Sequence, residues 1–427
     1  MPDLDLPDGF DVTDPQMYRE RVPLAEFAEL RRCAPVWWNA QEPGTGGFHD
    51  GGAWVVSRHA DVRDVSLRSE EFSNNRNGCI ARHEDNISAD EMEVTKHVLI
   101  NKDAPEHTQL RKLVARLFTP RSVEAMRAGL ADRAEQIAKT AVAAGNGDFV
   151  QQVASELPMQ AISDLIGVPQ DARRQLYEWS NQMTGYDDPS MAGASRMASA
   201  QILGYAYQLA EARRDEPLDD IITRLVNADV DGEALTPEQF GFFVIMLAVA
   251  GNETTRNATT LGMLAFLEHP EQWERYKRER PRTAADEIIR WASPLTSFQR
   301  TAVVDTEIAG TQIKKGQRVI LLYGSANFDE DAFENPEVFD IMRDPNPHLA
   351  FGGTGPHYCV GANLARMEID LIFDKIADHM PDISKIGDPS RLASGWINGV
   401  KEFKVDYGVN ESSADEGGNS SSCPVEH

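Results

Sequence analysis

The chain is poor in cysteine: four among 427 residues, at positions 33, 79, 359 and 423, with no Cys-x-x-Cys pair. Such spacing excludes a zinc ribbon and a disulfide framework and fits a reducing compartment. It also lacks a long apolar run. The most apolar window, Phe240 to Ala250, is too short to span a bilayer, so no membrane span is expected. Met1 to Asp14 is acidic and Pro-rich, without the basic start and apolar stretch of a signal peptide, so a cytoplasmic location is expected. Positive charge is scarce: 42 Lys and Arg stand against 68 Asp and Glu, a net of −26. That balance excludes nucleic acid as a partner, since counterion release needs a basic face. There is no repeat of fixed period and no internal Pro/Ser/Gly linker. Residues 1–409 are therefore expected to form one domain, and the Ser-, Gly- and acid-rich stretch 410–427 a disordered tail.

Helical periodicity dominates what is present. Helices are predicted over 104–117, 123–143, 157–166, 172–184, 195–213, 219–227, 237–267, 270–279 and 283–291. Short strands are predicted over 36–38, 53–57, 298–304, 318–323 and 402–407. The segment 73–103 carries mixed signals and reads as a long, partly helical loop, the kind that often forms a lid or binding loop. The fold class is mainly α with a small β region.

Four segments carry chemistry. Phe351-Gly352-Gly353-Thr354-Gly355-Pro356-His357-Tyr358-Cys359-Val360-Gly361 places one thiol in a glycine-rich loop just before a helix-like run, 362–371. Free N–H groups and peptide dipoles at a helix start favour a thiolate, the form that binds metal. One thiolate suits the axial position of a haem iron. The plain alternative is an inert buried cysteine. Ala250-Gly251-Asn252-Glu253-Thr254-Thr255 interrupts the longest helix signal with a glycine and a carboxylate beside a hydroxyl. It reads as a local opening of the helix, where Thr254 bonds dioxygen and Glu253 supplies protons; a solvent-facing Glu-Thr pair is the alternative. Glu287 and Arg290 share a helix face three residues apart, usually only a surface ion pair. Buried, the pair would brace the meander of Asn327, Phe333, Pro336, Phe339 and Arg343 behind the cysteine loop. His107 and Arg111, four apart on one helix face, could join Arg300 and His357 in holding two carboxylates.

Together, and in the family's order along the chain, the four segments resemble a cytochrome P450, from near residue 10 to about 407. The resemblance implies that fold, with a long central helix over haem b and a thiolate loop preceding a helix. It implies Cys359 as the axial ligand and Glu253 with Thr254 as the acid–alcohol pair. Glu287 and Arg290 would be the core-bracing pair, and His107, Arg111, Arg300 and His357 the propionate contacts. Phe351 and Gly361 would flank the haem. One departure stands out: Phe351 lies eight residues before the cysteine instead of seven, which leaves its packing open.

A narrower likeness is carried by Gly-Phe-His-Asp-Gly-Gly (47–52), Ala-Gly-Asn-Glu-Thr-Thr-Arg-Asn (250–257) and Ile-Lys-Lys-Gly-Gln-Arg-Val (313–319). The Gly-Gly-Thr-Gly loop, Ser-Gly-Trp-Ile-Asn-Gly (394–399) and the Cys-Pro-Val ending add to it. These resemble actinobacterial steroid hydroxylases that oxidise the terminal side-chain methyl of cholesterol and cholest-4-en-3-one, with repeated rounds leading through aldehyde to acid. The resemblance implies Ile80, Met183, Val249, Ala250, Phe298 and Trp396 as the apolar substrate wall, although each alone reads as core. No Gly-x-Gly-x-x-Gly motif is present, because Tyr358 stands where the third glycine would be. Electrons are thus expected from a separate partner; the resemblance implies a ferredoxin and ferredoxin reductase, docking where Arg111, Lys112, Arg116 and Arg366 form a local basic patch. Rival readings are a peroxide-driven enzyme, a non-catalytic haem sensor or carrier, and the same chemistry on a branched fatty acid, terpene or other polycycle.

Overall fold

A computed structural model describes residues 4–191, 193–217, 221–227 and 235–408. The proposed tail and Cys423 lie outside these residues. The fold is built on the helix Pro237–Glu268, which is apolar around nearly its whole circumference and therefore buried. Its start is specified locally. The Thr236 hydroxyl accepts the Gln239 N–H, the Gln239 side chain accepts the Thr236 N–H, and Pro237 opens the first turn. Helices Glu156–Leu165, Arg173–Thr184, Ser195–Asp215, Ala284–Ala292 and Ala362–His379 pack around it, and Pro120–Ala144 lies along Ala362–His379.

The expected opening at Gly251 does not occur; the helix runs through unbroken. Thr254 Oγ1 donates to the Ala250 carbonyl at 2.6 Å, inside regular helical geometry. Gly251 instead permits close approach: a Cβ there would lie 2.3 Å from Ile162 Cδ1 on the neighbouring helix.

The main sheet has the spatial order Val36–Ala40, Gly52–Val56, Arg318–Leu321, Phe298–Ala302, Phe72–Ser73. Only the Gly52–Val56 and Arg318–Leu321 pair is parallel. Buried Val56, Val319 and Leu321 face one core, while Val55 and Ile320 face a second with Tyr18, Phe27 and Leu30. The strand expected over 402–407 is two strands in different sheets. Val400–Glu402 pairs with Ser390–Arg391, and Lys404–Asp406 with Asn146–Asp148 and Ser384–Lys385. Phe403, fully buried between them, breaks the ladder by donating its N–H to Asp148 Oδ1 at 3.0 Å.

Other predicted helices appear within two or three residues of their expected ends. The one predicted from 219 is seen as Ile221–Val226, its first residues lying outside the described ones. Helices Leu24–Cys33 and His59–Leu67 are short and were not anticipated. The run after the cysteine loop extends to His379. Among the described residues no helix is long and apolar enough to cross a membrane.

Candidate active site

A cavity of about 590 Å³ opens under the central helix. It follows that helix from Phe242 to Ala258, about 24 Å at 1.5 Å per residue. Its floor is the loop 350–361, and Cys359 reaches into it.

The loop is shaped by backbone that side chains resist. Gly352, Thr354 and Gly355 have φ of 92°, 65° and 87°. A Cβ on Gly355 would sit 2.6 Å from the Ser66 carbonyl. These turns absorb the extra residue before the cysteine. The Cys359 N–H then donates to the Phe351 carbonyl at 2.9 Å, and Gly361 caps Ala362–His379. Phe351 packs under the Arg366 guanidinium, 4.6 Å from its ring centre, and against His348 and Tyr358. The Cys359 thiol is open to the cavity yet deep in the molecule. Burial pushes it up, opposed by the Gly361 N–H and by Arg111 and Arg366. A bound cation would decide its ionisation.

Beside the thiol, His107, Arg111, Arg300 and His357 all line the cavity. The two imidazoles lie 4.1 Å apart between ring centres. Arg111 donates to the Tyr358 carbonyl, and Arg300 to the Gln299 carbonyl at 2.7 Å. Neither arginine is ion-paired to a carboxylate among the described residues. Burial, then Arg300, His107 and Arg111, hold His357 down to about 2. A buried and a half-buried guanidinium without an anion are costly, and both lie near the thiol in a largely apolar chamber. These residues fit haem b: one axial thiolate and donors for two propionates.

On the opposite wall, Glu253 is buried and its Oε2 accepts from Arg256 Nη2 at 2.5 Å. Arg256 Nη1 donates onward to Asn181 Oδ1 at 2.6 Å. Burial raises the Glu253 carboxyl and Arg256 opposes that shift. Glu253 Oε1 has no hydrogen-bond partner among the described residues. Glu253 and Thr254 both line the cavity but hold different partners. Arg256 was missed in the sequence, although three-residue spacing put it on the Glu253 face. Glu368 was also missed. It is a carboxylate in an apolar helix, buried at the cavity wall facing Thr255 and pushed by burial up to about 8.

Glu287 and Arg290 are fully buried, with Arg290 Nε and Nη2 each 2.8 Å from a Glu287 oxygen. Arg290 also donates to the Asn327, Pro336 and Val338 carbonyls, while Arg343, Asn346 and the Asp340 N–H donate to Glu287. The pair thus ties the meander that leads into the cysteine loop. Ile80, Met183, Val249, Ala250, Phe298 and Trp396 all reach the cavity. Phe298 and Trp396 stack at 6.2 Å and 29°.

The expected basic patch is smaller than the sequence suggested. Arg111 turns inward, and Arg366 is paired with Asp286 at 2.6 Å. Lys112 and Arg116 remain exposed.

A family profile described as Cytochrome P450 matches residues 143–379. The chain is 63% identical over 422 residues to a steroid C26-monooxygenase of Rhodococcus jostii, covering 99% of this chain and 88% of that protein. It is 40% identical to a methyl-branched lipid omega-hydroxylase of Mycobacterium tuberculosis, over 89% of this chain and 90% of the other. Among solved structures, a Mycobacterium marinum cytochrome P450 in complex with pseudoionone superposes with a TM-score of 0.85 at 33% identity, covering 95% and 99% of the two chains.

Proposed function

The chain belongs to the cytochrome P450 family, and from that premise we propose that it is a haem-thiolate monooxygenase acting on the terminal side-chain methyl of a steroid such as cholest-4-en-3-one. The observation that carries the steroid assignment is the 63% identity to a steroid C26-monooxygenase along 99% of the chain. A long, apolar-walled cavity supports it, since a steroid with an extended side chain is itself long and apolar.

When bound, haem b supplies dioxygen activation and oxygen insertion into an unactivated C–H bond. The protein's part is binding, orientation and proton supply. Cys359 would hold the haem iron through its thiolate, and Arg111, Arg300, His107 and His357 would take the propionates. Ile80, Met183, Val249, Ala250, Phe298 and Trp396 enclose the substrate and exclude water, aiming one methyl at the reacting centre. Burial disposes Glu253 to hold a proton one residue from the Thr254 hydroxyl. To deliver it, Glu253 must leave Arg256 and turn to the cavity.

Electrons come from a ferredoxin with its ferredoxin reductase, docking in the cytoplasm near exposed Lys112 and Arg116. A second reading, the same chemistry on a methyl-branched lipid, rests on the 40% identical omega-hydroxylase.

Titration of the ferric protein with cholest-4-en-3-one, followed at the Soret band, tests the assignment. A saturable blue shift at low micromolar ligand is expected. A shift with branched fatty acids alone would transfer the assignment to the second reading.

A further inference from the structure

Three segments remote in sequence, 79–83, 186–188 and 392–401, meet at one wall of the cavity, with Trp396 at their centre. The Trp396 indole Nε1 donates to the Tyr186 hydroxyl at 2.8 Å, and that hydroxyl donates to the Arg82 carbonyl at 2.6 Å. An indole has a single donor and no acceptor, so this relay fixes the rotation of the ring. The ring so oriented stacks on Phe298 and belongs to the apolar cluster against which Ile80 and Leu295 pack.

The two residues after Tyr186 hold the backbone that carries the indole. Asp187 Oδ2 accepts the Gly395 N–H at 3.3 Å, and its other oxygen lies 3.7 Å from Arg82 Nε. Asp188 Oδ2 accepts the Ala393 N–H at 3.3 Å and pairs with Lys401 at 2.8 Å. Gly395 threads a gap with no room for a side chain: a Cβ would lie 2.3 Å from the Thr13 carbonyl. The relay orients the ring through its single donor, and the two carboxylates fix the backbone that carries it.

We infer that Tyr186 is a positioning residue for substrate selection: acting through Trp396, it holds flat the wall against which a rigid ring system lies. The inference rests on the steroid reading of the cavity. A planar, rigid ligand loses contact along its whole face when a wall residue turns, whereas a flexible chain re-packs.

The experiment is a cycle of Tyr186→Phe, Trp396→Phe and the double variant in the holoprotein. Dissociation constants for cholest-4-en-3-one and a methyl-branched fatty acid are read at the Soret band, and indole emission is read without ligand. Tyr186→Phe should weaken steroid binding roughly tenfold, the effect of one lost hydrogen bond with an unpaired partner. The branched acid should change by less than about twofold, within the usual error of such cycles. In the Trp396→Phe background, loss of the hydroxyl should do nothing further. The Trp396 emission, taken as the difference from Trp396→Phe, should shift when Tyr186 is replaced. Additive effects, equal weakening of both ligands, or an unmoved emission would overturn the proposal. Should Tyr186→Phe fail to retain haem, Asp188→Ala enters the same cycle with the same expectations. A wild type that binds the branched acid but no steroid would sink the steroid reading; the emission comparison would then decide the role of Tyr186 alone.

Discussion

Glu368 faces Thr255 from a buried position, and burial pushes its carboxyl up to about 8. In the unfolded chain a glutamate titrates near 4.3, so the folded state holds the proton more tightly. The contribution to stability is therefore full below the unfolded value and is lost as pH rises towards 8. Glu368→Gln should flatten the dependence of melting temperature on pH between about 4.5 and 8 and raise the melting temperature at pH 8. Superimposable profiles for the two proteins would refute this. Arg300 makes a second case. It is a buried cation and Arg111 a half-buried one, and neither has a carboxylate partner among the described residues. Arg300→Leu should release haem to an acceptor protein faster than wild type, and the double variant with Arg111→Leu faster still. Unchanged transfer rates would remove both residues from the propionate site.

Elements are held in register by charges that the spacing only hinted at. Glu-x-x-Arg at 287–290 is the weakest of the four motifs alone, yet both groups are fully buried and satisfied from three directions. Removing one partner of such a pair typically costs about 3–5 kcal/mol, because the other is left buried and unpaired. Arg290→Ala should therefore lower the urea midpoint sharply and reduce haem retention, since the meander it ties leads into the Cys359 loop. A midpoint near wild type would show that the network is dispensable. Long helices, such as 195–213 and 237–267, could be read from the chain within a turn, because propensity summed over many residues is informative. Leu24–Cys33 could not, because it buries Glu26, Glu29 and Arg31 along with Phe27 and Leu30. Gly251 misled for a related reason. Glycine in a helix signals lost propensity, and only the position of Ile162 shows that it marks a contact.

Across the whole molecule, the cavity draws its walls from residue 66 to residue 397, so no single segment can form it alone. Haem removal should accordingly lower the melting temperature and speed hydrogen exchange along Phe242–Ala258, while the Val55 and Ile320 core stays protected. Equal loss of protection in both regions would mean that the cavity and the sheet unfold as one unit. Residue identity and order along the chain were enough to single out Cys359, Glu253 with Thr254, Glu287 with Arg290, and His107 with Arg111, Arg300 and His357, because the roles proposed for them demand particular side-chain types; all but Glu287 and Arg290 line one cavity. They were not enough for the partners those groups take. Arg256 on Glu253, Asn181 on Arg256, Tyr186 on Trp396 and Thr255 before Glu368 include neighbours brought together from distant segments. Such pairings follow from packing in three dimensions: desolvation and hydrogen-bond satisfaction act on what is close in space, which a linear pattern does not encode.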